Sequence, residues 1–160
     1  MKQLFLFFVM AGLLLGLAGC RLNDVEYLNG IVSEIGDSQI TDDEDLIGTR
    51  VLVDSADAYT GAYTAACEAV TGRDVIFGGA SIHNRELFLS GSVEAESGSA
   101  TVRIRMNAEV YELEPDDTGQ FETTLKLENG GNYIMVVYED FSGSVELTCE
   151  YVERDDTDEG

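Results

Sequence analysis

The chain has 160 residues, enough for one domain with its own core, and its 44% apolar content argues against wholesale disorder. Thirty-one Asp and Glu face nine Lys and Arg, a formal charge of −22. A surface of that sign repels phosphate backbones and anionic head groups and favours solubility, so direct DNA or RNA binding is excluded.

Residues 1–20 read MKQLFLFFVMAGLLLGLAGC: Lys2, an apolar run from Leu4 to Leu17, then small residues ending in Cys20. That three-part layout is a secretory signal peptide. Even stretched from Leu4 to Gly19 the run has 16 residues, short of the roughly 20 that span a bilayer as a helix. Leu17, Ala18, Gly19 and Cys20 resemble the lipobox of bacterial lipoproteins. The resemblance implies that residues 1–19 are removed by a dedicated peptidase that recognises Leu17, Ala18 and Gly19. It also implies that Cys20 carries a diacylglyceryl group, so that the cell would incorporate palmitate into the protein. A chain starting at Cys20 loses Lys2 and carries eight bases against thirty-one acids, a charge of −23. At roughly 0.8 kcal/mol per buried CH₂, two acyl chains anchor durably where one is marginal. The expected location is extracytoplasmic, on the cell membrane or an outer membrane; Arg21, in place of Asp, resembles the outer-membrane sorting pattern of enterobacterial lipoproteins.

Residues 20–45 form the lipidated cysteine and a linker. Val25, Leu28, Val32 and Ile35 have helical spacing behind Asp24, interrupted by Gly30, so a short amphipathic helix and a tether with one added strand both fit. In TDDEDLIG, Thr41 and Glu44 have capping-box spacing and Gly48 can end a turn, which predicts one helical turn.

Between residues 46 and 152 short Val, Ile, Thr, Tyr and Phe runs alternate with Gly, Ser, Asn and Asp turns, giving about nine candidate strands from residue 49 onward. Val102, Ile104 and Met106 share a face, as do Phe121, Thr123, Leu125 and Leu127, and Val145, Leu147, Cys149 and Tyr151. NYIMVVYE is apolar on both faces and predicts a central strand. The expected fold is all-β, an antiparallel two-layer β-sandwich. The rhythm from Gly98 to Val152 resembles jelly-roll, galactose-binding-like domains, with an immunoglobulin-like order as the alternative. DLIGTR resembles the first strand of lipocalins without its tryptophan, so a barrel is set aside. SGSVE occurs at 90–94 and again at 142–146, read as two turns solving one geometric problem or as a duplicated half-domain. Residues 153–160 are an acidic tail, expected to be disordered.

With Cys20 lipidated, Cys67 and Cys149 remain, in the similar settings CEAV and CEYV. Export permits a disulfide between them, closing a loop of about 80 residues for roughly 4–5 kcal/mol; two buried free thiols are the alternative. No Cys/His spacing suggests a metal site. His83 sits in a turn with Ser81 nearby and no triad signature; Gly78 and Gly79 lack the Lys-Ser/Thr of a phosphate loop. Glu114, Asp116 and Asp117 form an acidic turn that is a weak calcium candidate. Tyr111, then Tyr59, are the candidate aromatic platforms for a sugar.

The functional expectation is a non-enzymatic, lipid-anchored binding domain without cofactor, facing an envelope protein or glycan. A carbohydrate-binding accessory module is the alternative, and a calcium-dependent adhesion or envelope structural protein comes third.

Overall fold

A computed structural model describes residues 39–54, 57–81 and 85–152. The signal peptide, the Leu17–Cys20 lipobox, the helical reading of 24–35, His83 and the tail 153–160 lie outside the described residues. The described chain is all β: β1 (Thr49–Asp54), β2 (Asp57–Ser81), β3 (Glu86–Met106), β4 (Glu109–Leu113), β5 (Gln120–Lys126) and β6 (Gly130–Tyr151).

The six strands form one antiparallel sheet in the order β1-β2-β6-β3-β4, with β5 also on β3. Fully extended, the 25 residues of β2 would span roughly 80 Å. Yet Tyr59 Oη donates to the Gly79 carbonyl at 2.5 Å, and Tyr63 Oη to Asp74 at 2.5 Å, so β2 folds back on itself. The bend is a corner shared by three strands. The β2–β6 ladder shifts between Cys67, Val70 and Gly72, and the β3–β6 ladder between Ala95, Ser97 and Ser99. Ala69, Gly98 and Asp140 lie at the same level in left-handed backbone, with φ of 50°, 68° and 47°. Bulges of this kind re-aim a strand and let it pass from one layer to another.

The corner divides β2 into β2a (57–67) and β2b (72–81), β3 into β3a (86–95) and β3b (99–106), and β6 into β6a (130–138) and β6b (143–151). The first layer is then β1-β2a-β6b-β3a-β5 and the second β2b-β6a-β3b-β4. Together these are nine segments, the number the turn spacing predicts. Leaving β1 aside, the chain pairs first with last and works inward: β2a with β6b, β2b with β6a, β3a with β5, β3b with β4. That long hairpin is rolled so that β6 also lies against β3, which is the jelly-roll arrangement, with β1 added at one edge. The immunoglobulin order does not fit. It pairs several sequence-adjacent strands within each sheet, whereas within this roll only β3b and β4 are both consecutive and paired.

One core fills the space between the layers. Val102, Ile104, Met106, Leu125, Leu127, Val145, Leu147 and Cys149 are buried, as the period-two pattern requires, joined by Tyr63, Phe77, Tyr138 and Phe141. β6 is central in both layers, which explains why Ile134, Met135 and Val136 are all apolar and buried. The two SGSVE copies lie side by side: Ser92, Val93 and Glu94 oppose Glu146, Val145 and Ser144 about a local dyad at the Val93–Val145 pair. The repeated residues therefore solve one geometric problem twice on adjoining strands.

Residues 41–48 do not form the expected helical turn. Thr41 instead docks on the β2b edge, its N–H donating to the Val75 carbonyl at 3.0 Å and its hydroxyl accepting from Val75 N–H at 2.9 Å. With its hydroxyl committed there, Thr41 caps nothing, and only a tight turn remains, closed by Asp45 N–H on the Asp42 carbonyl at 2.9 Å. The strap that follows seals the side of the sandwich with Leu46 and Ile47 against the core.

Candidate functional site

The first layer turns one face to the core and the other to solvent. Its outward rows are Thr64–Glu146–Ser92–Gln120 and Ala62–Thr148–Ser90–Glu122, running across β2a, β6b, β3a and β5. Ser, Thr and Ala project little above a sheet, so the centre of this face is low. The loop between β4 and β5 rises beside it and supplies Glu114 and Asp116. The result is an open groove of about 670 Å³ floored by Ser90, Ser92 and Thr148 and edged by Gln120, Glu122, Glu146, Glu114 and Asp116. A second depression of about 540 Å³ adjoins the corner and is lined by Glu68, Glu94, Glu96 and Ser144 among others. Among the described residues that line either one, there is no Lys or Arg, so acids alone set the charge of both depressions.

The acids of this face are not equivalent. Asp116 Oδ1 accepts from Thr118 N–H at 2.8 Å, Thr118 Oγ1 at 2.6 Å and Gln120 N–H at 3.0 Å. Those bonds, the Thr118 hydroxyl foremost, hold its carboxyl below the ordinary aspartate value and fix the turn. Asp116 is thus a turn-former. Glu114, Asp116 and Asp117 do not converge as ligands, and no group of three or more His, Cys, Asp or Glu is placed to hold a metal among the described residues.

A different carboxylate organises the interior. Asp74 is fully buried on β2b and accepts from Ile47 N–H and Gly48 N–H, each at 3.1 Å, and from Tyr63 Oη. Tyr63 has one hydroxyl proton and gives it to Asp74, so in the 2.7 Å contact between the two tyrosines Tyr138 is the donor. Burial, then the bond to Asp74, pushes the Tyr63 phenol far up; burial raises Tyr138 as well. Both remain neutral donors. Gly48 is required here, because a Cβ would fall 2.5 Å from the Tyr63 ring. Arg50 crosses the same side, donating to the carbonyls of Ile76 and Thr41 at 2.9 Å each and pairing with Asp43 at 2.5 Å. Strand periodicity gives no hint of Asp74; its one sequence signal is a lone acid opening the apolar run DVIF.

The candidate platforms separate. Tyr59 is 5% exposed, its hydroxyl spent on Gly79 and its ring 5.8 Å from the Arg85 guanidinium, so it is core. Tyr111 is 46% exposed on β4, with its hydroxyl on Glu109, and does not line the groove. Gly78 and Gly79 lie within β2b, against β6a, and not in a loop.

Cys67 and Cys149 are free thiols. Their strands are neighbours, as expected for a bridge. However, Gly61 opposes Cys149 and Cys67 opposes Gly143, so the two are six rungs apart, roughly 20 Å, where a disulfide needs Cα atoms within about 7 Å. Burial pushes the Cys149 thiol up to about 12 and raises Cys67 too, so both stay protonated and behave as small apolar groups. No protein-family model matches the chain, and no curated protein matches it in sequence.

Proposed function

We propose that this protein is a lipoprotein anchored outside the cytoplasm through Cys20, whose jelly roll is a non-enzymatic binding module for cationic, polar ligands of the cell envelope. The observation that carries the reading is the groove on the first layer: a small-residue floor under Glu114, Glu122 and Glu146, with no basic side chain among its described lining residues. A ligand bearing amines and hydroxyls would find acceptors on all sides. Such groups are found on basic protein segments and amine-bearing envelope polymers. The hydroxyl-rich floor of Ser90, Ser92 and Thr148 also supports a second reading, recognition of a neutral glycan.

Titration calorimetry with a linear polyamine as probe tests the first reading. Binding is expected to weaken with salt, and each exposed charge pair is worth roughly 0.2–1 kcal/mol, so Glu122→Gln with Glu146→Gln should weaken it about 2- to 30-fold. Unchanged affinity in the double variant would remove the groove from the reading. Salt-insensitive retention on a glycan array, with no polyamine binding, would favour the neutral glycan. Labelled palmitate incorporated by the native protein but not by Cys20→Ser tests the anchor; label retained in Cys20→Ser would remove it.

A further inference from the structure

The hairpin between β5 and β6 reads LENGGN, residues 127–132, and contains an Asn-Gly pair at Asn129 and Gly130. The fold requires this glycine. Gly130 has a φ of 120°, and a Cβ there would fall 2.0 Å from Asn107 Oδ1. With no Cβ, nothing on Gly130 shields its nitrogen from the side chain before it. Gly130 also faces Ser81 in the last rung of the β2–β6 ladder, and a terminal rung opens without the rest of the fold. Asn129 is exposed, and among the described residues its side chain makes no hydrogen bond. The two other described asparagines differ. Asn107 donates to Glu128 Oε2 at 2.9 Å and is followed by Ala108. Asn132 is buried, bonds the Glu128 N–H and the carbonyls of Glu128 and Gly130, and is followed by Tyr133.

We infer that Asn129 is a site of hydrolytic modification, deamidating through a cyclic imide with Gly130 to aspartate and isoaspartate. Solvent base takes the Gly130 N–H proton, and the nitrogen attacks Asn129 Cγ. A C–N bond forms, the Cγ–Nδ2 bond breaks, and ammonia leaves with a proton from water. Water then opens the imide. Breaking its bond to Cγ gives aspartate; breaking its bond to the main-chain carbonyl gives isoaspartate. Water is the only co-reactant. The structure assists the first step: negative charge spreads onto the Asn129 carbonyl oxygen as the proton leaves, and Asn107 Nδ2 donates to that oxygen at 3.3 Å. Either product adds a carboxylate beside Glu128. Isoaspartate also adds a methylene to the main chain and turns the carbonyl that Asn107 binds into a carboxylate. The hairpin thus carries a slow, one-way change of charge, on residues that do not line the groove.

Peptide mapping by mass spectrometry of the full chain, aged folded in mildly alkaline buffer, tests this. Asn129 should convert at least about tenfold faster than Asn107 and Asn132, a barrier lower by roughly 1.4 kcal/mol. Both aspartyl and isoaspartyl forms of the Asn129 peptide are expected. Asn129→Gln, whose longer side chain closes the ring far more slowly, should leave that peptide unchanged over the same period. No conversion at Asn129, equal rates at the three asparagines, or aspartate without isoaspartate would each overturn the inference.

Discussion

Two carboxylate regions of this molecule look alike in composition and differ in what their oxygens do. On the strap side, Asp74 is enclosed and both its oxygens are committed to Ile47, Gly48 and Tyr63. Across the first layer, Glu122 and Glu146 line an open groove. Burying a charge is costly unless it is fully bonded, so an enclosed acid is fixed in place by its donors and serves the fold. An acid at the rim of a groove stays hydrated and is available to a ligand. Asp116 lies between these cases, exposed but spent on its own turn. Composition alone makes all of them interchangeable; the donors around each separate scaffold from surface.

The largest expected effect is at Asp74. Asp74→Ala leaves two backbone N–H groups and the Tyr63 hydroxyl without an acceptor, and should lower unfolding free energy by roughly 3–5 kcal/mol in thermal or urea melts. A loss below about 1 kcal/mol would erase the contrast with the groove. Next is Tyr63→Phe, which removes one bond to a buried charge, roughly 1.5–3 kcal/mol. The same residue sets an alkaline limit. Its folded pKa is raised above the unfolded value of about 10, so its proton stabilises the fold fully below that pH. Stability should fall as pH climbs above about 10, and fall less steeply in Tyr63→Phe. Smallest is the effect of Glu122→Gln and Glu146→Gln on stability, within about 0.5 kcal/mol, because neither holds the fold. The thiols offer an independent check. Protein denatured without reductant should titrate two free thiols, Cys67 and Cys149, and show no mobility shift on reduction.

The ladder faces are legible in the sequence because burial alternates with period two: Val102, Ile104 and Met106, and Val145, Leu147 and Cys149, point inward as their spacing requires. The central place of β6 is legible because alternation is missing there: NYIMVVYE is apolar on both faces, and Ile134, Met135 and Val136 are all buried. The corner is not. It is made by bulges at Ala69, Ser97–Gly98 and Asp140, with no proline to mark it, so three long strands read as six separate ones. The disulfide expectation fails on register: the strands of Cys67 and Cys149 do pair, but the six-rung offset between the two depends on long-range pairing that no local pattern encodes. Tyr59 fails as a platform because an aromatic in a Gly/Thr/Ala stretch suits a narrow core position as well as a surface one. Of the groove, only Glu114 and Asp116 at its edge stood out in the sequence, as a calcium candidate; its floor of Ser90, Ser92 and Thr148 comes from two strands, with no residue distinctive alone.

The central claim concerns where a ligand sits. An NMR titration of the isotope-labelled protein with a linear polyamine would map it residue by residue. The expected shifts cluster on Ser90, Ser92, Gln120, Glu122, Glu146 and Thr148 and saturate together, while the strap and Asp74 stay still. Shifts spread evenly over every exposed acid, or gathered on the second layer around Glu109 and Glu112, would contradict a binding face on the first.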